Sequence, residues 1–427
     1  MPSIAFHTLG CKLNFAESSH LLRLFKQRGF EERSFHEIAD IYVVNTCTVT
    51  AVAEKKCRAA IRQANKLNPN AMIAVIGCFS QVNAKEIEKI KGVDIILGND
   101  DKNQLLEKVD LCLKNKNVIN KVVDISRVKT FAPSISFEDR TRGFLKVQDG
   151  CDYFCTYCEI PFARGRSRSC SVDDAVSYAK ILENEDKKEI VLTGVNIGDF
   201  GRGTKENFLD LIRALDSRTK VPRYRISSIE PDLLSKEIID FCVSSRAFLP
   251  HFHIPLQSGS NLVLKAMNRH YDREMFADKV FYIKSVMPNS FIACDVLAGF
   301  NYETEAEFQS CYEFLASLPI AFIHVFTYSN RPDTKAKKMG GEVPINVRKQ
   351  RSDLLQILSE KKKREFYEKN VGYEGKILWE EAEKNGKMYG FSDNYLRCVK
   401  DYDKKYINEI STHRLEKLNS STELFYL

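Results

Sequence analysis

The chain has 427 residues, of which 44% are hydrophobic and 28% are charged, with 20 Gly and 12 Pro. This composition excludes a disordered or collagen-like chain, and the length predicts two or three globular domains. The net charge of +7 at pH 7 permits a polyanionic partner such as nucleic acid without requiring one.

The opening residues and the cysteine content indicate a reducing compartment. The stretch MPSIAFHTLGCKLN has neither the basic nor the apolar region of a secretory signal. Apolar runs such as 73–76 are far shorter than the ~20 residues that cross a bilayer. We therefore expect a cytoplasmic protein with no membrane partner. Disulfides are disfavoured there, so the 13 cysteines favour metal ligation or redox chemistry.

The first part of the chain alternates between strand and helix patterns. The predicted strands are 4–9, 41–44, 71–76 and 94–97, and the predicted helices are 15–28, 51–67 and 85–90. This alternation predicts a parallel, doubly wound α/β domain, which we place at residues 1–125. Residues 126–142 contain Pro133 and several Ser without periodicity, and are predicted to be a linker.

The alternation restarts at Gly143 and continues through six βα units. The predicted strands are 144–148, 189–195, 224–229, 251–256, 291–300 and 322–328. The predicted helices are about 172–185, 206–217, 232–246, 260–287 (as two helices) and 304–318. Six units predict a partial β/α barrel over residues 143–365, although a flat six-stranded sheet would fit the pattern nearly as well.

The pattern changes again beyond Gly372. Short predicted strands at 375–380, 387–391, 395–400 and 406–409 are separated by turn residues. We predict a small all-β module, sandwich or barrel, at residues 366–427.

The most specific local motif is formed by Cys151, Cys155 and Cys158. It follows the first predicted barrel strand, and catalytic groups of barrels gather at the carboxyl ends of the strands. Three thiolates on a four-iron cluster leave one iron free to bind a small molecule, as an open zinc site binds water. The alternatives are a structural zinc site, or an electron-carrying cluster with Cys170 as a fourth ligand, which the spacing disfavours.

A second set consists of Cys11, Cys47 and Cys78, each directly after one of the first three predicted strands. Parallel strands end at one edge of their sheet, and ligands collect in the crevice outside that edge. The three thiols are therefore predicted to converge and to hold a second cluster with one free iron. The alternative is three inert cysteines in the core.

These motifs resemble the radical S-adenosylmethionine superfamily, of which Cys-x3-Cys-x2-Cys is the signature, and more narrowly the methylthiotransferase family. The resemblance extends over LGCKLN (9–14), NTCTVT (45–50), GCFSQ (77–81), KVQDGC (146–151) through Arg168, and GFSDNYLRCV (390–399). The last segment resembles an RNA-binding TRAM module. Glu159, after the third cysteine of the motif, departs from the family pattern, in which an apolar residue is expected.

The resemblance implies two 4Fe–4S clusters and S-adenosylmethionine as cofactors. The Cys151/Cys155/Cys158 cluster would bind S-adenosylmethionine through its open iron. Reduction by a flavodoxin- or ferredoxin-type electron donor would give a 5′-deoxyadenosyl radical, which would take hydrogen from an unactivated carbon. The Cys11/Cys47/Cys78 cluster would deliver sulfur, replenished by a separate sulfur source, and a second S-adenosylmethionine would supply the methyl group.

Residues after the barrel strands fit the cofactor site. Tyr157 resembles the aromatic residue near adenine, Glu230 could accept from ribose hydroxyls or the amino group, and Gly194 would admit a close backbone approach. The expected cofactor-binding set is Tyr157, Gly194, Asn196, Ser228, Glu230, Gln257 and Ser258. Taken singly, each could equally be a turn or cap residue.

The substrate that the resemblance implies is the tRNA anticodon stem-loop, modified at the adenosine 3′ of the anticodon. Basic and aromatic residues contact phosphates and stack on single-stranded bases. The predicted RNA-binding residues are Arg164, Arg166, Arg168, Tyr395 and Arg397. Their alternative roles are surface solvation and packing in the β module.

The motifs most resemble the branch that converts N6-threonylcarbamoyladenosine to its 2-methylthio derivative. The branch acting on isopentenyladenosine and the branch acting on a ribosomal-protein aspartate are the alternatives. A non-catalytic iron–sulfur protein that binds RNA is the alternative from a different class.

Overall fold

The computed structural model describes residues 1–115, 118–136, 141–419 and 423–427. Residues 137–140 of the predicted linker at 126–142 lie outside the described residues. Among the helices in the described part of the chain, none combines the length and apolar character that a bilayer crossing requires.

The N-terminal region is a parallel sheet covered by helices on both faces. Its strands are β1 (Ser3–Thr8), β2 (Glu31–Glu32), β3 (Ile41–Thr46), β4 (Met72–Gly77), β5 (Ile95–Leu97) and β6 (Ile119–Lys121). Its helices are α1 (Lys12–Gln27), α2 (Ala51–Leu67), α3 (Cys78–Glu88) and α4 (Leu105–Asn115). The strands lie in the order β2–β1–β3–β4–β5–β6, and all pairs are parallel.

Alternation along β3 explains the two covered faces. Tyr42 and Val44 pack into one core with α2 and α3, whereas Ile41 and Val43 pack into another with α1 and α4. A strand buried on both faces is typical of parallel sheets between helices. The predicted doubly wound domain is therefore confirmed. Helix α3 begins at Cys78, seven residues before the predicted start at Lys85, because Gly77 turns the chain directly from β4 into the helix.

The central region adds nine strands and eight helices to the described chain. The strands are β7 (Ser134–Ile135), β8 (Arg142–Lys146), β9 (Gln148–Asp149), β10 (Arg168–Ser169), β11 (Glu189–Thr193), β12 (Arg223–Ile226), β13 (His251–His253), β14 (Phe291–Ala298) and β15 (Phe322–Thr327). The helices are α5 (Ile160–Arg164), α6 (Val172–Asn184), α7 (Phe208–Arg218), α8 (Lys236–Ser244), α9 (Asn261–Ala266), α10 (Arg273–Val286), α11 (Glu305–Ser317) and α12 (Ile345–Lys369).

Six parallel strands of this region form one curved sheet. The order is β8–β11–β12 and then β13–β14–β15, joined by a parallel bridge between Ser228 and His253. Helices α6, α7, α8, α10 and α11 all pack into one core on the same face. A flat doubly wound sheet would carry helices on both faces. The partial barrel is therefore confirmed over the flat-sheet alternative, and its other face is an inner surface.

The C-terminal region is a mainly antiparallel sheet. Its strands are β16 (Glu374–Lys384), β17 (Lys387–Ser392), β18 (Arg397–Asp401), β19 (Ile410–Arg414), β20 (Lys417–Asn419) and β21 (Leu424–Tyr426). Their order is β19–β16–β17–β18–β21–β20, around the buried Trp379. The strand predicted at 406–409 is wrong, because a 3₁₀ turn and a left-handed residue at Asn408 precede the real strand, which begins at Ile410.

Short 3₁₀ helices and one long helix complete the described chain. The 3₁₀ helices are Asp101–Gln104, Ile125–Arg127, Ile197–Asp199, Lys335–Lys338 and Lys404–Tyr406. Helix α12 was not among the predicted elements. It runs across the predicted boundary between residues 365 and 366, and it packs against both β15 and the core of the C-terminal sheet.

Candidate active site

The first cysteine set lies at the carboxyl edge of the N-terminal sheet. Cys11 caps the start of α1, Cys47 follows β3 and Cys78 is the first residue of α3. Two of the three cysteines therefore lie at helix N-termini, whose partial positive charge favours negatively charged groups.

The thiols of this set are near neighbours. Gly10 has φ +102°, and a Cβ atom there would lie 3.0 Å from Cys47 Sγ. Burial raises the pKa of Cys47 to about 12, and the neighbouring Cys78 and Cys11 thiols add to the shift. A metal cation binds thiols in their deprotonated form and displaces their protons. The donor set therefore fits a metal cluster.

The second set lies in a tight loop after β9. The Cys151 N–H donates to the Gly165 carbonyl at 3.0 Å, and the Cys158 N–H donates to the Cys155 carbonyl at 3.0 Å. Burial raises the pKa of all three thiols, that of Cys151 to about 12, and the Cys155 thiol adds to the shifts of Cys151 and Cys158. Cys170 instead packs in the core between the sheet and the outer helices.

Cys78 of the first set lies close to the helix that follows the second set. Asn99 Nδ2 lies 3.5 Å from Cys78 Sγ and donates at 2.6 Å to the carbonyl of Ala163, in the helix that follows Cys158. Across the described residues, no three His, Cys, Asp or Glu side chains are grouped as the ligands of a single metal ion.

Glu159 joins the cluster loop to the N-terminal domain. It accepts a hydrogen bond of 2.8 Å from Thr48 Oγ1, next to Cys47, and it lies 3.1 Å from Arg331 Nε. Burial raises the pKa of this carboxyl, against the opposing effects of Thr48 and Arg331. An acidic residue is accommodated after Cys158 because this arginine faces it.

The expected cofactor residues lie around the upper rim of the barrel. Asn196 is 2% exposed; its amide lies near the Tyr153 hydroxyl and makes no hydrogen bond of good geometry in the described chain. Gly194 follows β11, where a Cβ would meet Gln148 Oε1 at 2.9 Å. Ser258 is buried, and its hydroxyl accepts the N–H of Ser260 within the turn before α9.

The other rim residues bind their neighbours. Ser228 Oγ lies 2.8 Å from His253 Nδ1. Gln257 has φ +69°, and its backbone bonds to Asp295 and Leu297 tie the turn to β14. Tyr157 packs beside Phe300, and burial raises the pKa of its hydroxyl.

Arg269 is a site residue that the sequence did not reveal. Its guanidinium lies 3.0 Å from Cys155 Sγ, pairs with Glu230 and reaches Tyr157 Oη at 3.5 Å. Burial raises the pKa of Glu230 to about 7, and the charge of Arg269 opposes that shift. No periodicity or motif marks Arg269, which lies in the turn after α9.

A buried ionic network fills the space between the two cysteine sets. Glu17 of α1 pairs with Lys102, Lys146 and Arg164, and Arg164 also pairs with Asp149 at 3.0 Å. Burial opposes ionisation of Glu17, but the three cations outweigh it and hold the pKa of that carboxyl well below its usual range.

This network corrects the predicted RNA contacts. The Arg164 side chain is 1% exposed and Arg168 is 9% exposed, with its guanidinium bound to backbone carbonyls and to Asp149. Tyr395 is also buried and bonds to Glu189. None of these three side chains is free to meet RNA. Arg166 remains exposed, and Arg397 is partly exposed in an ion pair with Glu380.

Two family models match the chain. The uncharacterized protein family UPF0004 matches residues 3–98, and the radical SAM superfamily matches residues 145–315. The threonylcarbamoyladenosine tRNA methylthiotransferase MtaB of Bacillus subtilis (strain 168) is 40% identical over 410 residues, which cover 93% of this chain and 90% of the relative. The tRNA-2-methylthio-N(6)-dimethylallyladenosine synthase of Methylacidiphilum infernorum is 31% identical and covers 91% of this chain and 86% of the relative.

Solved structures support the architecture. The radical S-adenosylmethionine methyltransferase TsrM from Kitasatospora setae has a TM-score of 0.58 at 13% identity, covering 90% of this chain and 79% of its own. At this identity the likeness concerns the fold alone.

The partial barrel and the cysteine loop at its upper rim define a radical S-adenosylmethionine protein. Such proteins use a 4Fe–4S cluster and S-adenosylmethionine. With identity to its relatives along nearly the whole of both chains, this protein belongs to the radical S-adenosylmethionine methylthiotransferase family.

Proposed function

We propose that this enzyme places a methylthio group on carbon 2 of N6-threonylcarbamoyladenosine in tRNA, next to the anticodon. The support is the 40% identity, along 93% of the chain, to a relative named for that substrate. The observation that carries the proposal is the presence of one three-cysteine set in each of two domains that are in contact. One set suits radical generation and the other suits sulfur delivery.

Cys151, Cys155 and Cys158 would hold the 4Fe–4S cluster that, when bound, supplies the electron for cleaving S-adenosylmethionine to a 5′-deoxyadenosyl radical. Tyr157, Gly194, Asn196, Ser228, Glu230 and Gln257 would bind the S-adenosylmethionine, and the buried amide of Asn196, which makes no hydrogen bond of good geometry in the described chain, supports this role. Arg269 holds Glu230 and Cys155 in place. The buried walls of the loop exclude water from the reacting centre.

Cys11, Cys47 and Cys78 would hold a second 4Fe–4S cluster as the source of the inserted sulfur. A separate sulfur source and a flavodoxin- or ferredoxin-type electron donor complete the cycle, in the cytoplasm. Arg166, Arg397 and the exposed side of the rim would meet the anticodon stem-loop, since exposed guanidinium groups contact phosphates and stack on bases.

Analysis of tRNA nucleosides tests the substrate. Cells that lack the protein should accumulate N6-threonylcarbamoyladenosine without its 2-methylthio derivative, as measured by mass spectrometry, and the intact gene should restore the derivative. If 2-methylthio-isopentenyladenosine were lost instead, the substrate of this protein would be isopentenyladenosine in tRNA.

Cysteine substitution tests the chemistry. The reconstituted protein should carry roughly eight irons, from two four-iron clusters, and should form 5′-deoxyadenosine with dithionite. Changing Cys11, Cys47 and Cys78 to Ala should halve the iron and leave cleavage measurable. Changing Cys151, Cys155 and Cys158 should abolish cleavage, and Cys242→Ala, in the outer core, is the control. A wild-type protein that never cleaves S-adenosylmethionine would favour a non-catalytic RNA-binding protein.

A further inference from the structure

The inner surface of the barrel encloses a cavity of about 440 Å³. Strands β8 and β11–β15 form its wall, Lys12 of α1 borders it, and Tyr395 of the C-terminal sheet closes its lower end. Its upper part includes His253, which bonds to Ser228 of the rim. The cavity therefore extends from the cofactor rim down into the barrel.

Arg225 of β12 lines this cavity and forms no ion pair within the described part of the chain. It is 8% exposed, and its guanidinium lies over the Tyr395 ring at 4.5 Å. In the described chain its Nε is buried without a hydrogen-bond partner. Arg223, two residues earlier, instead donates to two backbone carbonyls and approaches Glu189. Burying a guanidinium without a counter-charge costs free energy. The site should therefore bind a negatively charged ligand in preference to a neutral one.

The other groups around Arg225 favour an anion. Ser227 Oγ is buried without a partner, and the Lys12 ammonium borders the same space. Two carboxylates lie nearby: Asp295 binds His253, and Glu189 accepts from Tyr395 through one oxygen while the other lies 3.7 Å from the Arg223 guanidinium. A guanidinium fork with an adjacent hydroxyl matches the planar geometry of a carboxylate.

We propose that Arg225, with Ser227, binds the carboxylate of the threonylcarbamoyl group and so selects this substrate over an adenosine with an apolar N6 group. The inference rests on the proposed function and deepens it. Along a strand, Arg225 lies about 10 Å below Ser228 of the rim, a separation that an N6 substituent reaching down from the reacting base can span. A dimethylallyl group would leave the guanidinium unpaired, and sites with buried polar groups reject such analogues strongly.

A chemical double-mutant cycle tests this contact in the reconstituted holoenzyme. The substrates are an anticodon stem-loop with N6-threonylcarbamoyladenosine and the same stem-loop with its carboxylate as the amide. In the wild type, kcat/KM for methylthiolation should fall at least about tenfold from acid to amide, the value of a charge-assisted hydrogen bond. Arg225→Gln should lose a similar factor on the acid and show no further loss on the amide. Arg225→Lys, which keeps the charge without the fork, should be intermediate.

Controls separate this contact from other sources of anion binding. Arg213→Gln, the same change on the exposed face of α7, should match the wild type. Arg225→Gln should retain wild-type iron content and wild-type cleavage of S-adenosylmethionine without RNA. Slowed cleavage would mean that Arg225 binds the methionyl carboxylate of S-adenosylmethionine. Equal weakening toward a stem-loop with unmodified adenosine would mean a phosphate contact. Either result overturns the inference, whereas a wild type inactive on the acid would overturn the proposed function itself.

Discussion

At the scale of single residues, Arg269 connects the cysteine loop to the rim of the barrel. Its guanidinium contacts Cys155 and Glu230, and all but 3% of the side chain is buried. A buried ion pair by itself adds little to the stability of a protein, because both charges lose their hydration. Removal of one partner is destabilising, because the other charge is then buried without compensation. The pair therefore makes the position of Glu230 depend on Arg269.

Arg269→Gln should lower the free energy of unfolding by about 3 kcal/mol and slow the cleavage of S-adenosylmethionine. The double change Arg269→Gln with Glu230→Gln should recover part of the stability, because no buried charge is left without a partner. It should not recover the cleavage rate, because Glu230 is then also changed. Denaturant unfolding under anaerobic conditions and the rate of 5′-deoxyadenosine formation measure the two effects.

The matched control is Arg218→Gln, at the end of α7, whose ion pair with Asp173 is largely exposed. Exposed pairs contribute about 1 kcal/mol or less, so this variant should stay close to the wild type. An equal loss in both variants would refute the role of Arg269.

At the scale of elements, the turn from β4 to α3 places Cys78 at the edge of the sheet. Gly77 has φ 101° and ψ −153°, a region that is almost restricted to glycine. A Cβ there would lie 2.5 Å from Asn45 Oδ1 and 2.8 Å from the Thr46 carbonyl. The glycine therefore permits the cysteine to follow the strand without a spacer.

Gly77→Ala should lower the free energy of unfolding by about 3 kcal/mol and reduce the iron bound by the N-terminal domain. Gly29→Ala is the control, since Gly29 also has a positive φ, +85°, but no atom lies within 4 Å of the added Cβ. Strain without collision should cost about 1 kcal/mol and leave the iron content unchanged. Iron analysis and denaturant unfolding of both variants distinguish the two cases.

At the scale of the whole molecule, the N-terminal domain and the C-terminal sheet dock on different parts of the barrel. The N-terminal domain meets the cluster loop through the network around Glu17. The C-terminal sheet meets the starts of the barrel strands, where Arg223 of β12 donates to the Phe391 and Lys376 carbonyls. The Cys151/Cys155/Cys158 loop and the C-terminal sheet are thus at opposite ends of the strands.

Glu17→Gln should lower the free energy of unfolding by about 3 kcal/mol near neutral pH, because three buried cations lose their counter-charge. In the folded chain, the three cations hold the pKa of Glu17 well below its usual value of about 4.5. Its stabilisation is therefore complete above that pH and is lost as the pH falls below it. Unfolding curves should show that the wild-type advantage over the variant shrinks below about pH 4.5.

Glu185→Gln provides the comparison at an exposed contact between the same two domains, where Glu185 pairs with Arg23 at 3.5 Å. This variant should change stability by less than about 1 kcal/mol. A small effect of Glu17→Gln, equal to that of Glu185→Gln, would contradict the role of the network in docking.

The amino-acid sequence by itself determined the repeating βα pattern, the caps and the positions of six cysteines relative to strand ends. Helix and strand periodicity is local, and parallel strands end at one edge whatever packs around them. The helix caps are equally local, since Ser171 and Thr304 accept the N–H groups of Asp174 and Glu307, three residues further on. The fold class and the convergence of the cysteines could therefore be predicted from local sequence patterns, without knowledge of any long-range contact.

The tertiary structure decided which charged residues are available. Arg164 was expected on the surface, but its partner Glu17 lies 147 residues away, and no local pattern reports such a pairing. Arg269 and Arg225 were overlooked for the same reason. Arg269 contacts Cys155, which is 114 residues distant in the sequence. Arg225 lines a cavity that forms only because the sheet curves. Burial and pairing depend on the whole fold, whereas periodicity depends on neighbours in the chain.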